Sequence, residues 1–594
     1  MPHVLDVGLS SPVPVAFDGF RAVVSALDES ATKIRGRLLG ATPVEAQVLM
    51  PAWESADARP LSDLALSPSE RRLHRESEQV FRVLDAAARA IADTLVEEDV
   101  ELRLHDIGAF DVPSLRGLLR LVEHLTWRDG LRRLRLSGPT ARSGLAEALA
   151  ERGTPSPEAA LLARRLPGLI ADETAPSGAV SRVAPVASPE ADLLRSVLDD
   201  GGSPVDRIAF AVESIRRGFF RADHEVMARC ALVGLELATP GLPLDGTVIE
   251  EALVRTGTGS PLADAVEFEV GLLRGPADAR AFFRKVLGMV HSFRGDNPQA
   301  LEAFSRIVED DAHSVELRAQ AALYAALTKV KMLRDPAAGI QQAEEGMELL
   351  RRHTTGSSQE RREGAWLHNV RALCFFSQGK LREALADEKE ALARVADGSD
   401  SSSVHLKINL ISNISVLQER AGRLDGALAT WQKYTSVGSA WGPMFTKHHA
   451  YRHGGLALAA GRQEEGLTAL ETAHEAGASL SDTFHRAVIA TELGGLLRES
   501  APGRAAHWYT AAARASEELA DPYSYALALA GRSLAEGRTP PAALAETAAS
   551  SVTRPAAGAD LAAAITAGDR ERLGSLLPKP RTKLNRPFDH VNLT

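Results

Sequence analysis

The chain has 594 residues, enough for three or four domains of about 150 residues or for one domain and a long repeat array. Apolar residues make up 45% and aromatic residues only 5%, a balance that suits closely packed helices better than sheets. A net charge of −10 argues against bulk binding to nucleic acid or an anionic membrane, so neither is an expected partner, while leaving room for a local basic patch.

The two cysteines, Cys230 and Cys374, lie in helical apolar contexts and read as buried free thiols in a reducing compartment. No apolar run of about 18 residues is present, so no membrane span is expected. The first residues lack a basic start followed by an apolar core. The expected location is the cytoplasm.

In chain order, Val4–Val7 reads as a short strand, and Phe17, Phe20, Val23 and Leu27 share one face of a helix over 17–39. Pro43, Pro51 and Pro60 break the chain after it. Ser67-Pro68-Ser69-Glu70 has the form of a helix start, with the helix running to about Glu97. Val100–Leu104 alternates as a strand, Asp111-Val112-Pro113-Ser114 opens a helix to about Leu125, and Leu131–Leu136 is a second strand. This is a strand–helix–strand unit, the minimum for a parallel sheet. Gly138–Arg152 and Glu158–Ile170 read as helices.

The segment LRLHDIGAFDVPSLRGLLRLVEHL is similar to the Walker B strand and following helix of STAND-type signalling ATPases. That resemblance implies a nucleotide-binding domain joined to C-terminal tetratricopeptide-like repeats. The family's acidic pair is replaced here by His105 and Asp106, and no G-x-x-x-x-G-K-[ST] lies upstream. Without that loop there is neither a backbone cradle for phosphates nor a lysine to meet them. A degenerate, non-hydrolysing domain is expected, and a small STAS-like domain would give the same local pattern.

After residue 170 the composition turns to Pro, Ser, Ala and Gly without apolar periodicity, which reads as a linker over 171–198. Beyond it, turn glycines recur at Gly295, Gly379, Gly422 and Gly461, at intervals of 84, 43 and 39. The gap of 84 accommodates a further unit over Leu317–Leu350, with a divergent turn at Arg334-Asp335-Pro336. Small residues precede each glycine by seven positions (Gly288, Ala372, Ser415, Gly454) and follow it by five (Ala300, Ala384, Ala427, Gly466). Bulky residues come four later at Phe304, Trp431 and Leu470, with Glu388 breaking the pattern. This pattern resembles the tetratricopeptide repeat with a period of about 40. Small residues let the two helices of a hairpin cross closely, and the bulky one fills the gap to the next hairpin. Another unit spans Phe484–Leu519 with Ala505, Tyr509 and Ala512, and Tyr523–Ala549 forms a capping hairpin. Residues 205–238 and 261–275 read as degenerate first helices.

The fold class expected is therefore mainly α: a right-handed, tetratricopeptide-like helical solenoid preceded by a small α/β domain. The domains expected are 1–170 (α/β), 171–198 (linker), 199–555 (solenoid) and 556–594 (cap and extended basic tail).

Few motifs point to chemistry. His449 and His453 share a helix face at metal-ligand spacing but lack an evident third ligand. His105 and Asp106 are adjacent on a strand and point to opposite faces. No Ser/His/Asp or Cys/His arrangement is legible. Catalytic residues, cofactor and metal are all read as none. The repeat family's concave groove is lined by first helices, and counting back from the turn glycines places Lys285, Trp366, Asn369, Asn409, Asn413, His448 and Arg452 there. Asparagine offers both a donor and an acceptor, so it can satisfy a peptide unit whatever the side chain.

The expected function is a non-catalytic scaffold that binds a protein or peptide partner in its groove, as a regulatory or biosynthetic accessory factor. A divergent STAND-type ATPase or nucleotide sensor is the alternative. The tail Pro578–Thr594 carries Lys579, Arg581, Lys583 and Arg586, with Phe588, Val591 and Leu593 as anchors. It reads as a frayed terminus or one packed on the last repeat, as a docking segment for a partner, or as an occupant of the groove in an autoinhibited state.

Overall fold

The computed structural model describes residues 3–9, 14–55, 57, 59–65, 78–138, 157–171, 181–183, 187–257, 268–353, 356–398, 401–433, 442–584, 587–591 and 593. The helix start at Ser67, the helix over Gly138–Arg152 and Arg586 fall outside these residues, apart from Gly138 itself. The described residues before 189 and after 441 form one compact unit, and residues 189–433 form a second. No helix among the described residues is long and apolar enough to cross a membrane.

One carboxylate organises the N-terminal domain. Asp111 Oδ1 accepts from Phe17 N at 2.8 Å and Ser114 N at 2.9 Å, and Oδ2 accepts from Gly19 N at 2.9 Å. It therefore caps two helices at once, α1 (Asp18–Glu29) and the helix that Val112 opens, α5 (Val112–Trp127). Between them come α2 (Ile34–Ala41), α3 (Pro43–Leu49) and α4 (Glu78–Glu97). The single helix expected over 17–39 is two, because the chain breaks at Ser30–Lys33, with Ala31 at φ 59°.

The sheet is parallel, in the order β4-β3-β2-β1-β5, with β1 at His3–Leu9, β2 at Val100–His105, β3 at Leu134–Ser137, β4 at Ile170–Ala171 and β5 at Ser181–Val183. The strand–helix–strand reading holds for β2, α5 and β3. Two details differ. Leu131–Arg133 is a 3-10 turn, so β3 begins only at Leu134, and α6 (Pro157–Arg165) ends early so that Ile170 can pair with Leu136. Within the stretch of linker-like composition, Ser181–Val183 pairs with β1 and Pro189–Leu198 forms α7. Composition cannot report a strand whose partner lies at the far end of the domain's sequence.

The rest is helical hairpins. In the second unit α8 (Pro204–Arg221), α9 (His224–Leu237) and α10 (Gly246–Arg255) precede a run of pairs. These are α11 (Pro276–Arg294) with α12 (Asn297–Glu309), α13 (Val315–Leu327) with α14 (Pro336–Arg352), α15 (Ser358–Ser377) with α16 (Leu381–Arg394), and α17 (Ser401–Arg420) with α18 (Leu424–Lys433). Residues 268–275 are loop rather than the helix expected there, and 261–267 lie outside the described residues. Cys230 and Cys374 are both buried and free.

In the first unit the hairpins are α19 (Gly442–Ala459) with α20 (Gln463–Ser479), α21 (Thr483–Leu497) with α22 (Pro502–Glu518), α23 (Pro522–Ala535) with α24 (Ala543–Ala549), and α25 (Pro555–Ala567) with α26 (Arg570–Leu576). The array is tetratricopeptide-like, preceded by the small α/β domain.

The turn glycines do what their spacing implies. Gly295, Gly379, Gly422 and Gly461 all take φ between 72° and 83°, which a side chain would strain. The small first-helix residues meet the bulky second-helix ones. A Cβ on Gly288 would stand 2.5 Å from the Phe304 ring, and one on Gly494 would stand 2.8 Å from Tyr509. The divergent turn at Arg334 is reached through a π-helical turn, Thr328–Met332.

Candidate functional site

Two first-helix faces carry the polar chemistry, one in each unit. In the second unit, Asn413 Nδ2 lies 3.0 Å from Asn369 Oδ1, 3.0 Å from Asn409 Oδ1 and 3.1 Å from Glu388 Oε1. The carbonyl oxygens of Asn409 and of Asn369 on α15 and the carboxyl of α16 thus converge on the amide nitrogen of Asn413. Glu388 sits at the position where the repeat pattern calls for a bulky apolar residue. Burial lifts its carboxyl well above the usual range, which favours the protonated form, and its Oε2 has no hydrogen-bond partner among the described residues. Beside it, Asp387 accepts from Arg371 at 2.7 and 2.8 Å and lies 2.9 Å from His368 Nδ1. Burial alone would raise Asp387, but these partners hold it below its ordinary value.

The seven residues expected in the groove are not equally placed. Asn409 and Asn413 are half-buried at the amide cluster. Asn369 joins them but is itself buried, as is Trp366. Lys285 is only 2% exposed. Its Nζ donates to Gln320 Oε1 at 3.0 Å, and Gln320 in turn donates to Glu363 at 2.9 Å. It is an interior ammonium within a buried polar chain. His448 and Arg452 belong to the other unit.

In the first unit, Lys447 is fully buried. Its Nζ stands 2.5 Å from Asp482 Oδ2, 3.3 Å from Glu78 Oε2 and 3.1 Å from His485 Nδ1. Glu78, Asp482 and His485 have the geometry of a metal-ligand group. The lysine ammonium already supplies a cation to all three, so they do not fit a metal as well. Burial opposes every charge here, yet Lys447 is held protonated and Glu78 and Asp482 ionised by mutual attraction. His448 Nε2 faces Glu78 Oε1 at 3.3 Å and packs edge-on to His485. His453, of the metal-spaced pair, instead meets Glu465 at 2.8 Å.

Helices α4 and α5 grip three successive connections between hairpins. Arg82 donates to Leu480 O at 2.8 Å and Arg120 to Leu519 O. Glu123 accepts from Ser551 Oγ at 3.0 Å and Thr553 N at 2.8 Å.

The first-helix faces of α19, α21 and α23 hold the chain's own tail. Arg452 NH1 donates to Thr582 O at 2.9 Å, and Tyr451 OH accepts from Arg581 N at 3.3 Å. A Cβ on Gly455 would overlap Arg581 O, one on Gly495 would stand 3.1 Å from Pro578 O, and one on Gly531 3.0 Å from Leu577. Tyr451 OH also donates to Glu492 Oε2 at 2.8 Å, and burial pushes that carboxyl up to about 8. Farther on, the turn Pro587–Val591 packs on α4 and α5, with His590 between Phe81 and Phe484 at ring distances of 6.1 and 5.2 Å. Sequence reasoning missed Glu388, Lys447, Tyr451 and these glycines. A signal for the last was present: the pairs Gly454-Gly455 and Gly494-Gly495 recur one repeat period apart.

The sheet corrects one further expectation. Asp6, His105 and Ser137, on three neighbouring strands, do form a Ser/His/Asp chain. His105 Nε2 lies 2.7 Å from Asp6 Oδ1, and Ser137 Oγ lies 3.1 Å from His105 Nδ1. Ser137 is 8% exposed and its hydroxyl also reaches toward Leu104 O at 3.5 Å. The chain ties three strand ends together. It was invisible in sequence because neighbouring strands of a parallel sheet are separated by whole crossover connections.

No family model matches the chain, and no curated protein does. Solved structures resemble it only distantly. A STAND protein with a tetratricopeptide repeat sensor from Pyrococcus horikoshii is 11% identical, with a TM-score of 0.41 over 90% of this chain and 91% of that one. The Rap conjugation regulator of plasmid pLS20, in complex with the Phr* peptide, is 13% identical, with a TM-score of 0.32 over 63% and 98%. PlcR of Bacillus thuringiensis, in complex with the peptide PapR7 and DNA, is 12% identical, with a TM-score of 0.29 over 48% and 99%. At these scores no ligand or activity carries over.

Proposed function

We propose that the chain is a non-catalytic scaffold that holds an extended segment of a protein partner on first-helix faces of its hairpins, as a regulatory or accessory factor. The observation that carries this reading is that two hairpins already hold an extended segment, within residues 577–584, by its main chain: Arg452 takes a carbonyl, Tyr451 takes an N–H, and Gly455 and Gly495 admit the backbone. The amide cluster of Asn369, Asn409 and Asn413 offers the same kind of main-chain partner in the second unit. His105, at the position of the Walker B acidic pair, is tied to Asp6 and Ser137, and Asp111 is used up in capping two helices. The nucleotide-sensing alternative draws no support from either.

Peptide display against the full chain, followed by fluorescence polarisation with an enriched peptide, tests the amide face. Asn409→Ala with Asn413→Ala should weaken binding at least tenfold, about 1.4 kcal/mol, with helical content unchanged. Asn409→Ala alone, which leaves the Asn413–Glu388 bond intact, should weaken it in the same direction. Equal affinity in both variants overturns the amide face as the site.

A further inference from the structure

The tail alternates. Leu577 and Leu584 are buried at the two ends of the segment. Between them Lys579, Arg581 and Lys583 are exposed, while Pro578, Pro580 and Thr582 are half-buried toward the helices. That is the period-two pattern of an extended chain lying on a surface. The surface is matched to it. In α19 and α21 the first glycine of each pair admits the hairpin's own second helix: a Cβ on Gly454 would stand 3.0 Å from Leu470, and one on Gly494 2.8 Å from Tyr509. The second glycine of each pair faces the tail backbone. At the positions corresponding to that second glycine, the hairpins of the other unit carry Met289, Leu373 and Val416, whose side chains would fill such a path.

We propose that this glycine track is a peptide-binding site, that residues 577–584 are its resident occupant, and that an extended segment of a partner protein takes their place. The partner segment has a leucine at each end of the same span, proline or small polar residues facing the helices, and hydrophilic residues facing outward. The specificity follows from the geometry. The track reads main chain through Arg452 and Tyr451 and closes on apolar ends, while the side chains of Lys579 and Arg581 are exposed. Exchange also frees the turn at His590 from Phe81 and Phe484, so occupancy of the track is coupled to the seat of α4 on α21. The proposal rests on the scaffold reading and deepens it, but the two fail separately, because the Asn409 and Asn413 variants leave the glycine track untouched.

The test uses the full chain with a protease site inserted between Leu576 and Leu577, cut after purification. The released segment should stay bound through gel filtration, and a fluorescein-labelled synthetic peptide of residues 577–594 should exchange into its place. An unlabelled peptide with Leu577→Asp and Leu584→Asp should compete at least tenfold less well than the natural sequence. A peptide with Lys579→Ala and Arg581→Ala should compete within about twofold of it. Gly455→Val in the cut chain should release the segment. The proposal is overturned if the cut segment elutes free at once, if the labelled peptide never enters, or if the leucine variant competes as well as the natural peptide.

Discussion

The two sets of hairpins share one steric plan and differ in what their first helices face. In the second unit the residue after each small one is large, and the polar groups on the first helices satisfy one another: Asn413 with Asn369, Asn409 and Glu388, and Lys285 with Gln320. In the first unit a glycine stands there, and the face is occupied by the chain's own tail, while the connections between hairpins are held by α4 and α5. A Cβ at position 455 would overlap the tail backbone. The repeat plan therefore sets how hairpins stack, while residues outside it set what each hairpin can hold.

The most disruptive way to break this comparison is at Lys447. Lys447→Met leaves Glu78 and Asp482 as buried carboxylates without their shared cation, a loss of about 3–5 kcal/mol. Hydrogen exchange should show α4 and α19–α21 losing protection while α11–α18 keep theirs. Equal loss across both sets would mean that they unfold as one body, and the contrast between them would fail.

A milder probe is pH, where two groups of the tail seat act with opposite sign. Burial pushes His590 down to about 3, with Arg554 and Arg120 adding repulsion and Asp521 and Asp85 opposing it. Its contribution is present above the unfolded value of about 6.5 and is lost as pH falls toward 3. Glu492, raised to about 8, contributes fully below the unfolded value near 4.5 and loses that contribution as pH rises through 8. Between pH 4.5 and 6.5 the two slopes offset each other. Retention of the cut tail should be flat there, and it should fall on either side. Glu492→Gln should remove the alkaline fall only, and an unchanged profile in that variant would rule out Glu492 as its source.

The smallest effect is expected at Glu388. Because burial raises its carboxyl pKa and so favours the neutral form, Glu388→Gln should change the melting midpoint of the second unit by no more than the equivalent of about 0.5 kcal/mol near pH 7. A large loss would show that Glu388 is ionised and that the amide cluster hides a charge.

Sequence by itself determined the hairpin plan and the α/β start. Turn glycines, small crossing residues and Phe304 or Tyr509 lie within one hairpin of the groups they meet, so their spacing records their contacts. The capped start at Asp111 and the strands beside it were legible for the same reason. Only the tertiary structure decided the rest. Arg82 meets Leu480 across 398 residues, Lys447 meets Glu78 across 369, and Arg452 meets Thr582 across 130. Such pairs have no period, and their residue types read equally well as solvated charges. They depend on two surfaces being brought together by packing, which local spacing cannot encode.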